Sequence, residues 1–224
     1  MNPKLKELFE GVYSFNSHLM TKNLVPGKKV YGEELLRFSG EEFRAWNPHR
    51  SKLGAGIMNG LRNFPFNKGS NVLYLGSSEG TTVSHVSDVI GLEGKLFGVD
   101  ISTRAMHKFM FLCESRENIY PILGNAGKPE EYTRHLHGIK INALFQDVSQ
   151  PNQAQIFNEN AKRFLKKNSL GLIAIKARSI DSGEKPKKII EKETNELEKE
   201  FKILESIDLS PYEKDHALIV GKKK

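Results

Sequence analysis

From Asn71 onward the sequence alternates between short apolar runs and amphipathic stretches, and this alternation confines the chain to one broad architecture. The runs are NVLYLG, KLFGVDI, NIYPILGN, INALFQDV and LGLIAIKARS; helix-period stretches cover 84–90, 103–115, 129–135 and 153–165 between them. Unbroken apolar runs suit strands covered on both faces, and strands separated by helices join as right-handed parallel crossovers. Two more strands, FKILESIDL and HALIVGKK, follow the charged helix PKKIIEKETNELEKE, but only SPYEKD separates them. A parallel crossover needs about a dozen residues or more, so the last strand must run antiparallel. The expected fold is α/β, with a seven-stranded, mostly parallel, doubly wound sheet whose last strand is antiparallel.

Residues 1–50 follow a different pattern. The pieces GVYSF, HLMTKNL and KVYGEELLRF are separated by turn signals that include Pro26-Gly27, which predicts a small antiparallel β domain ahead of the larger unit at 51–224. The lone Trp46 is expected to pack between the two. On the charged helix, Lys187/Glu191 and Lys192/Glu196 are one turn apart and predict ion pairs on a solvated face.

Thirty-four Lys plus Arg against 27 Asp plus Glu give a net charge of +7, which suits a polyanionic partner or a merely basic enzyme. Cys113 is the one cysteine, so there is no internal disulfide or cysteine-based cluster, and the isolated HLH at 135–137 does not read as a metal site. No apolar run approaches the roughly 18 residues of a membrane span, and MNPKLKELFEG lacks the apolar centre of a signal peptide. The expected address is cytoplasmic.

In open α/β sheets ligands bind beyond the carboxyl ends of the strands. The first strand here ends in YLGSSEGTTVSHVSD, where Gly76 and Gly80 bracket a tight turn and Thr81, Thr82 and Ser84 open the helix. Such a turn lets backbone N–H groups approach a ligand, but it matches neither G-x-G-x-x-G nor G-x-x-x-x-G-K-[ST]. Asp100 ends the second strand about 20 residues further on, where an acidic side chain can take ribose hydroxyls. Asn125, in GNA at 124–126, offers an amide to an adenine edge; Asp147 closes the fourth strand and Lys176 the fifth. Taken alone, Lys176 is either a strand-end side chain reaching for water or a catalytic amine. Five polar strand ends together predict a nucleoside-ligand site.

The blocks YLGSSEGTTVSHVSD, PILGNAGKPEEY, FQDVSQPNQA, IAIKARSID and PYEKDHALIV, in this order, resemble the fibrillarin family, methyltransferases of box C/D ribonucleoprotein particles. The upstream NLVPGKKVYGEELL and FRAWNPHRSKLGAGI are similar to the family's N-terminal domain, and without a Gly/Arg-rich leader the chain resembles the short archaeal type. The resemblance implies a Rossmann-like methyltransferase fold and transfer of a methyl group from S-adenosylmethionine to ribose 2′-hydroxyls of rRNA and tRNA. It places the catalytic set on Lys52, Asp147, Lys176 and His216. Cofactor contacts fall on Gly76, Thr81, Thr82, Asp100, Ile101, Asn125, Ala126, Asp147, Val148, Ser149 and Gln150. Three positions depart from the family pattern: Glu79 replaces a small residue, Asp100 the commoner Glu, and Asn125 the commoner Asp.

In such a site Lys176 would act as base toward the 2′-hydroxyl, with burial and Lys52 favouring its neutral form. Asp147 would orient it, and His216 would position ribose or phosphate. The chain shows no base-reading module, so the choice of nucleotide must come from elsewhere; the resemblance implies a guide RNA, the target rRNA, a scaffold protein and a kink-turn-binding protein as partners. Two rivals share the fold: a methyltransferase for small molecules or protein, and a catalytically silent particle subunit.

Overall fold

The computed structural model describes residues 5–224; residues 1–4, with the start of the segment inspected for a signal peptide, lie outside it. Strands β1 Lys6–Phe9, β2 Val12–Phe15, β3 His18–Lys22, β4 Leu35–Phe38 and β5 Glu41–Ala45 form an antiparallel sheet in the order β1-β2-β3-β5-β4. The expected small sheet is present, with two differences. The charged four- and five-residue strands β1 and β5 had no alternation long enough to read, and KVYGEELLRF is strand only from Leu35. Glu33 accounts for the second difference. Its carboxylate accepts the N–H groups of Val30 (2.9 Å) and Tyr31 (2.8 Å), committing that backbone to a loop.

Helix α1, Lys52–Met58, leads into the larger sheet. Its elements are β6 Asn71–Leu75, α2 Thr81–Ile90, β7 Lys95–Asp100, α3 Thr103–Cys113, β8 Ile119–Leu123, β9 Ile141–Gln146, α4 Gln153–Phe164 and β10 Leu165–Lys176. A short α5, Ala177–Ile180, then α6 Pro186–Leu197, β11 Phe201–Asp208 and β12 His216–Lys223 complete it. The order is β11-β12-β10-β9-β6-β7-β8, with β12 antiparallel to both neighbours and the remaining pairs parallel, as expected. Helix α2 begins three residues earlier than its apolar period suggested, because Gly80 at φ +93° turns the chain directly into it. Residues Pro129–Leu136 form 3-10 turns rather than an α-helix. The expected pairs on α6 do not form; Glu184, just before the helix, takes Lys188 (2.9 Å) and Lys192 (3.9 Å).

Strand alternation explains the unbroken apolar runs. Val72, Tyr74, Phe145, Leu172, Ala174 and Leu218 face one core with α1, α2 and the small sheet, while Leu73, Leu75, Leu144, Ile173, Ile175 and Ile219 face a second with α4 and α6.

A buried charged network joins the small sheet to α2. Arg44 on β5, 0% exposed, pairs with Glu33 (2.7 Å) and Asp88 (2.8 Å) and donates to Ser84 Oγ (2.9 Å). Asp88 also accepts from Arg116 (2.7 Å), Thr21 Oγ1 (2.8 Å) and the Leu24 N–H (3.0 Å). Trp46 packs at this junction as expected, stacked on His85 with centroids 4.7 Å apart. Burial pushes the His85 imidazole well below its ordinary range, and Arg44 and Arg116 add to the shift.

Candidate active site

The chain runs outward from β6 to β7 and β8, then returns to start β9 on the other side of β6. The loops leaving β6 and β9 therefore diverge, opening a crevice at the carboxyl ends. Asp147 donates its N–H to Leu75 O at 2.8 Å. The loops pass so closely that a Cβ on Gly76, at φ +83°, would lie 2.5 Å from Asp147 O, so only glycine fits there.

A cleft of about 380 Å³ occupies this crevice, lined by Gly76, Asp100, Ile101, Asn125, Ala126, Asp147, Val148, Ser149, Gln150 and Lys176. Of the positions named from the sequence as cofactor contacts, only Thr81 and Thr82 lie outside the lining. Thr82 is buried and donates to Ser51 Oγ at 3.0 Å, while Ser51 accepts the Gly54 N–H at 3.1 Å and caps α1. Thr82 thus supports the helix that begins with Lys52. Ser78, Val99 and Gly124 also line the cleft. They are turn and strand residues without distinctive side-chain chemistry; only the placement of Ser78 inside the glycine turn could have pointed to it. A larger groove of about 550 Å³, lined by Tyr31, Trp46, His49 and Tyr212 among others, contains none of the polar strand ends. Chemistry rather than size therefore selects the smaller cleft.

At one end, Asp100 accepts the N–H of Ser78 on Oδ2 and of Ser102 on Oδ1, each at 2.8 Å. The carboxylate is held rigidly and each oxygen keeps a lone pair for a ligand hydroxyl. Ile101, 62% exposed, forms an apolar lip. Asn125 Oδ1 accepts from Gly127 N (2.9 Å) and Gln150 Nε2 (3.1 Å). Glu79 lies outside the lining and pairs with Lys108 at 2.5 Å.

At the other end Asp147 lies between two ammonium groups. Lys176 Nζ is 2.9 Å from Oδ1 and Lys52 Nζ 3.3 Å from Oδ2, with the three side chains only 15–17% exposed. Lys176 also donates to Ser149 Oγ (2.9 Å) and Asp147 O (3.3 Å), and Glu213 approaches Lys52 at 3.8 Å. The Lys176–Oδ1 contact is ionic but not an aligned hydrogen bond, so Oδ1 remains, like Gln150 Oε1, a buried acceptor without an aligned donor. Burial raises the phenol of Tyr74 well above its ordinary range, and the charge of Asp147 raises it further.

Lys52, Asp147 and Lys176 are therefore brought together from α1, the β9 loop and β10. His216 stands opposite Lys176 in the β10–β12 register. Its Nδ1 donates to Lys214 O at 2.7 Å, and it lines a separate groove with Lys187 and Ile190. It makes no hydrogen bond to the other three.

The sequence profile of the Fibrillarin family matches residues 3–224. The chain belongs to the fibrillarin family. A relative from Pyrococcus abyssi, a fibrillarin-like rRNA/tRNA 2′-O-methyltransferase, is 51% identical over 223 residues, 97% of each chain. The structure of Aeropyrum pernix fibrillarin with natively bound S-adenosyl-L-methionine is 41% identical with a TM-score of 0.88, covering 99% of this chain and 98% of that one. A fibrillarin/Nop5p complex contains a chain 39% identical with a TM-score of 0.87, covering 98% of this chain and 100% of that one. The Lys-Asp-Lys cluster lies at the mouth of a cleft whose far end holds the Asp100 carboxylate. Among the described residues no helix is long and apolar enough to cross a membrane.

Proposed function

We propose that this fibrillarin transfers a methyl group from S-adenosylmethionine to ribose 2′-hydroxyls of guide-selected nucleotides in rRNA and tRNA, residues 51–224 forming the transferase unit and 1–50 the small β domain. The observation that carries this reading is Asp147 held between Lys176 and Lys52 at the mouth of the nucleoside-sized cleft. The cleft suits the cofactor because Asp100 has lone pairs for a ribose diol, and Gln150 Oε1 is a buried acceptor without a donor. When bound, S-adenosylmethionine supplies an electrophilic sulfonium methyl group.

Asp100 would bind the cofactor's ribose, Asn125, Ala126 and Gln150 its adenine edge, and Ile101 would cover one side. Asp147 holds Lys176 through its Oδ1 and would interact with the sulfonium side of the cofactor. A ribose hydroxyl is a weak nucleophile, so Lys176 Nζ, in its neutral form, would take the O2′ proton as the methyl–sulfur bond breaks and the new O–C bond forms. Lys52, on the other carboxylate oxygen, adds positive charge for the neighbouring phosphates. His216, next to Lys176 across the β10–β12 pair, positions the ribose or its phosphate.

Selection of the nucleotide lies outside the chain. The +7 charge gives salt-sensitive, unspecific RNA binding, and the sequence carries no recognisable base-reading module. The implied partners are a scaffold protein, a kink-turn-binding protein and a box C/D guide RNA, acting in the cytoplasm. The test is labelled methyl transfer followed by mapping of alkali-resistant 2′-O-methyl linkages. The chain alone is expected to bind the cofactor and methylate RNA negligibly at about 0.15 M salt, where unspecific binding is weak. Scaffold, kink-turn protein and guide should restore transfer at one guide-paired nucleotide. Efficient site-selective transfer by the chain alone would refute the partner requirement, and label appearing on protein would favour a different transferase.

A further inference from the structure

β10 extends beyond the neighbour it pairs with in parallel. Its ladder with β9 ends at Ile173↔Gln146, whereas its ladder with β12 continues to Lys176↔His216. Lys176 therefore reaches the site with one backbone edge facing a strand that has already turned away. A buried backbone edge without partners is costly, and a mobile one would let the amine wander.

One side chain fills the gap. Gln153, the first residue of α4 and 0% exposed, accepts the Lys176 N–H on Oε1 at 2.9 Å and donates Nε2 to Lys176 O at 3.3 Å. A primary carboxamide has the donor and acceptor of a peptide unit, so Gln153 extends the missing strand by one residue. The main chain of Gln153 is itself fixed, because Gln146 Nε2 donates to the Gln153 backbone carbonyl at 2.7 Å. Gln146 and Gln153 bracket the loop that carries Asp147, Val148, Ser149 and Gln150. The same two amides thus close that loop and register it against the backbone of Lys176.

We propose that Gln153 is a positioning residue for methyl transfer: its carboxamide sets the main chain of Lys176 so that Nζ meets Asp147 and Ser149. This rests on the role given to Lys176 above. The side chain of Gln153 does not line the cleft, so its loss should move the amine while leaving cofactor binding intact.

The experiment compares single-turnover transfer in the particle assembled with scaffold, kink-turn protein and guide RNA with S-adenosylmethionine affinity measured by calorimetry. Gln153→Met keeps the length and removes both hydrogen bonds. Transfer is expected to fall about 10- to 100-fold, the scale of a slightly misplaced catalytic group, with the dissociation constant changed less than about twofold. Gln153→Glu keeps the acceptor for the Lys176 N–H and should recover part of the rate; if Gln153→Met does not fold, a transfer loss in Gln153→Glu at unchanged affinity carries the test. Asn158→Ala removes another buried amide of α4, which holds Glu196 O at 2.7 Å, and controls for simple destabilisation. Parent-like transfer in Gln153→Met, equal losses of rate and affinity, or the same rate loss in Asn158→Ala would overturn the proposal. Lys176→Ala separates the two readings. If it keeps parent activity, the site assignment fails; if it is inactive while Gln153→Met is not, only the positioning role fails.

Discussion

Asp88→Ala should destabilise this protein more than most single substitutions. The Asp88 side chain is fully buried and accepts four hydrogen bonds, from Arg44, Arg116, Thr21 and the Leu24 backbone, at 2.7–3.0 Å. With Glu33 it balances the two buried guanidiniums, two negative charges against two positive. His85 stays neutral in the same cluster because its protonation is suppressed. Removing Asp88 leaves one positive charge uncompensated and Arg116 without its carboxylate. Breaking a buried pair in this way costs about 3–5 kcal/mol. For a chain of this size that corresponds to a fall in Tm of about 6–20 °C. Asp88→Asn, which keeps the shape and part of the bonding, should fall between parent and alanine. Equilibrium denaturant unfolding, with Tm as a second readout, measures the change, and cofactor affinity at a permissive temperature should remain because Asp88 does not line the cleft. A loss below about 1 kcal/mol, the range of an exposed pair, would refute the view that this network joins the small sheet to α2.

Lys176→Ala should lower transfer by about 10²- to 10⁴-fold, the usual worth of a general base, with cofactor affinity retained; more than half the parent rate would remove the amine from the mechanism. Asp147→Ala should damage both transfer and cofactor binding, and unchanged affinity with less than about a tenfold rate loss would contradict its dual role. Because His85 is held neutral in the folded state, the unfolded chain binds the extra proton below about pH 6.5. Its contribution to stability is thus complete above that pH and declines on acidification towards the depressed folded value, with a slope approaching 1.4 kcal/mol per unit for about one proton. In denaturation from pH 5 to 8, His85→Gln should flatten this part of the profile, and parallel curves for parent and variant would exclude the assignment.

The larger sheet was legible because its strands are covered on both faces, which leaves unbroken runs such as LIAI, and because connection length fixes strand direction. The small sheet was only partly legible. Lys6–Phe9 and Glu41–Ala45 are too short and charged to show a period, and the backbone bonds of Glu33 cut a strand that the local sequence favours. Within the site, Asp100, Asp147 and Lys176 stood out as charged groups at the ends of apolar runs. Ser78, Val99 and Gly124 did not, because they line the cleft by where the chain places them. Gln153 reads as an ordinary helix residue until the ladder beside it is seen to end. Arg44, Asp88 and Arg116 are invisible for a related reason: an isolated charge in a sequence suggests solvent, and only the tertiary arrangement shows that each is neutralised.

The strand order also has a consequence for biosynthesis. β12 lies between β10 and β11, yet both precede it in the chain. On the ribosome, the edge of β10 that will meet β12, residues 170–176, emerges before its partner exists. An open edge of this kind is a template for pairing with another chain. The nascent protein is therefore exposed to misassembly along the same strand that will carry Lys176, and that interval ends only when His216 and the residues after it slot into the gap.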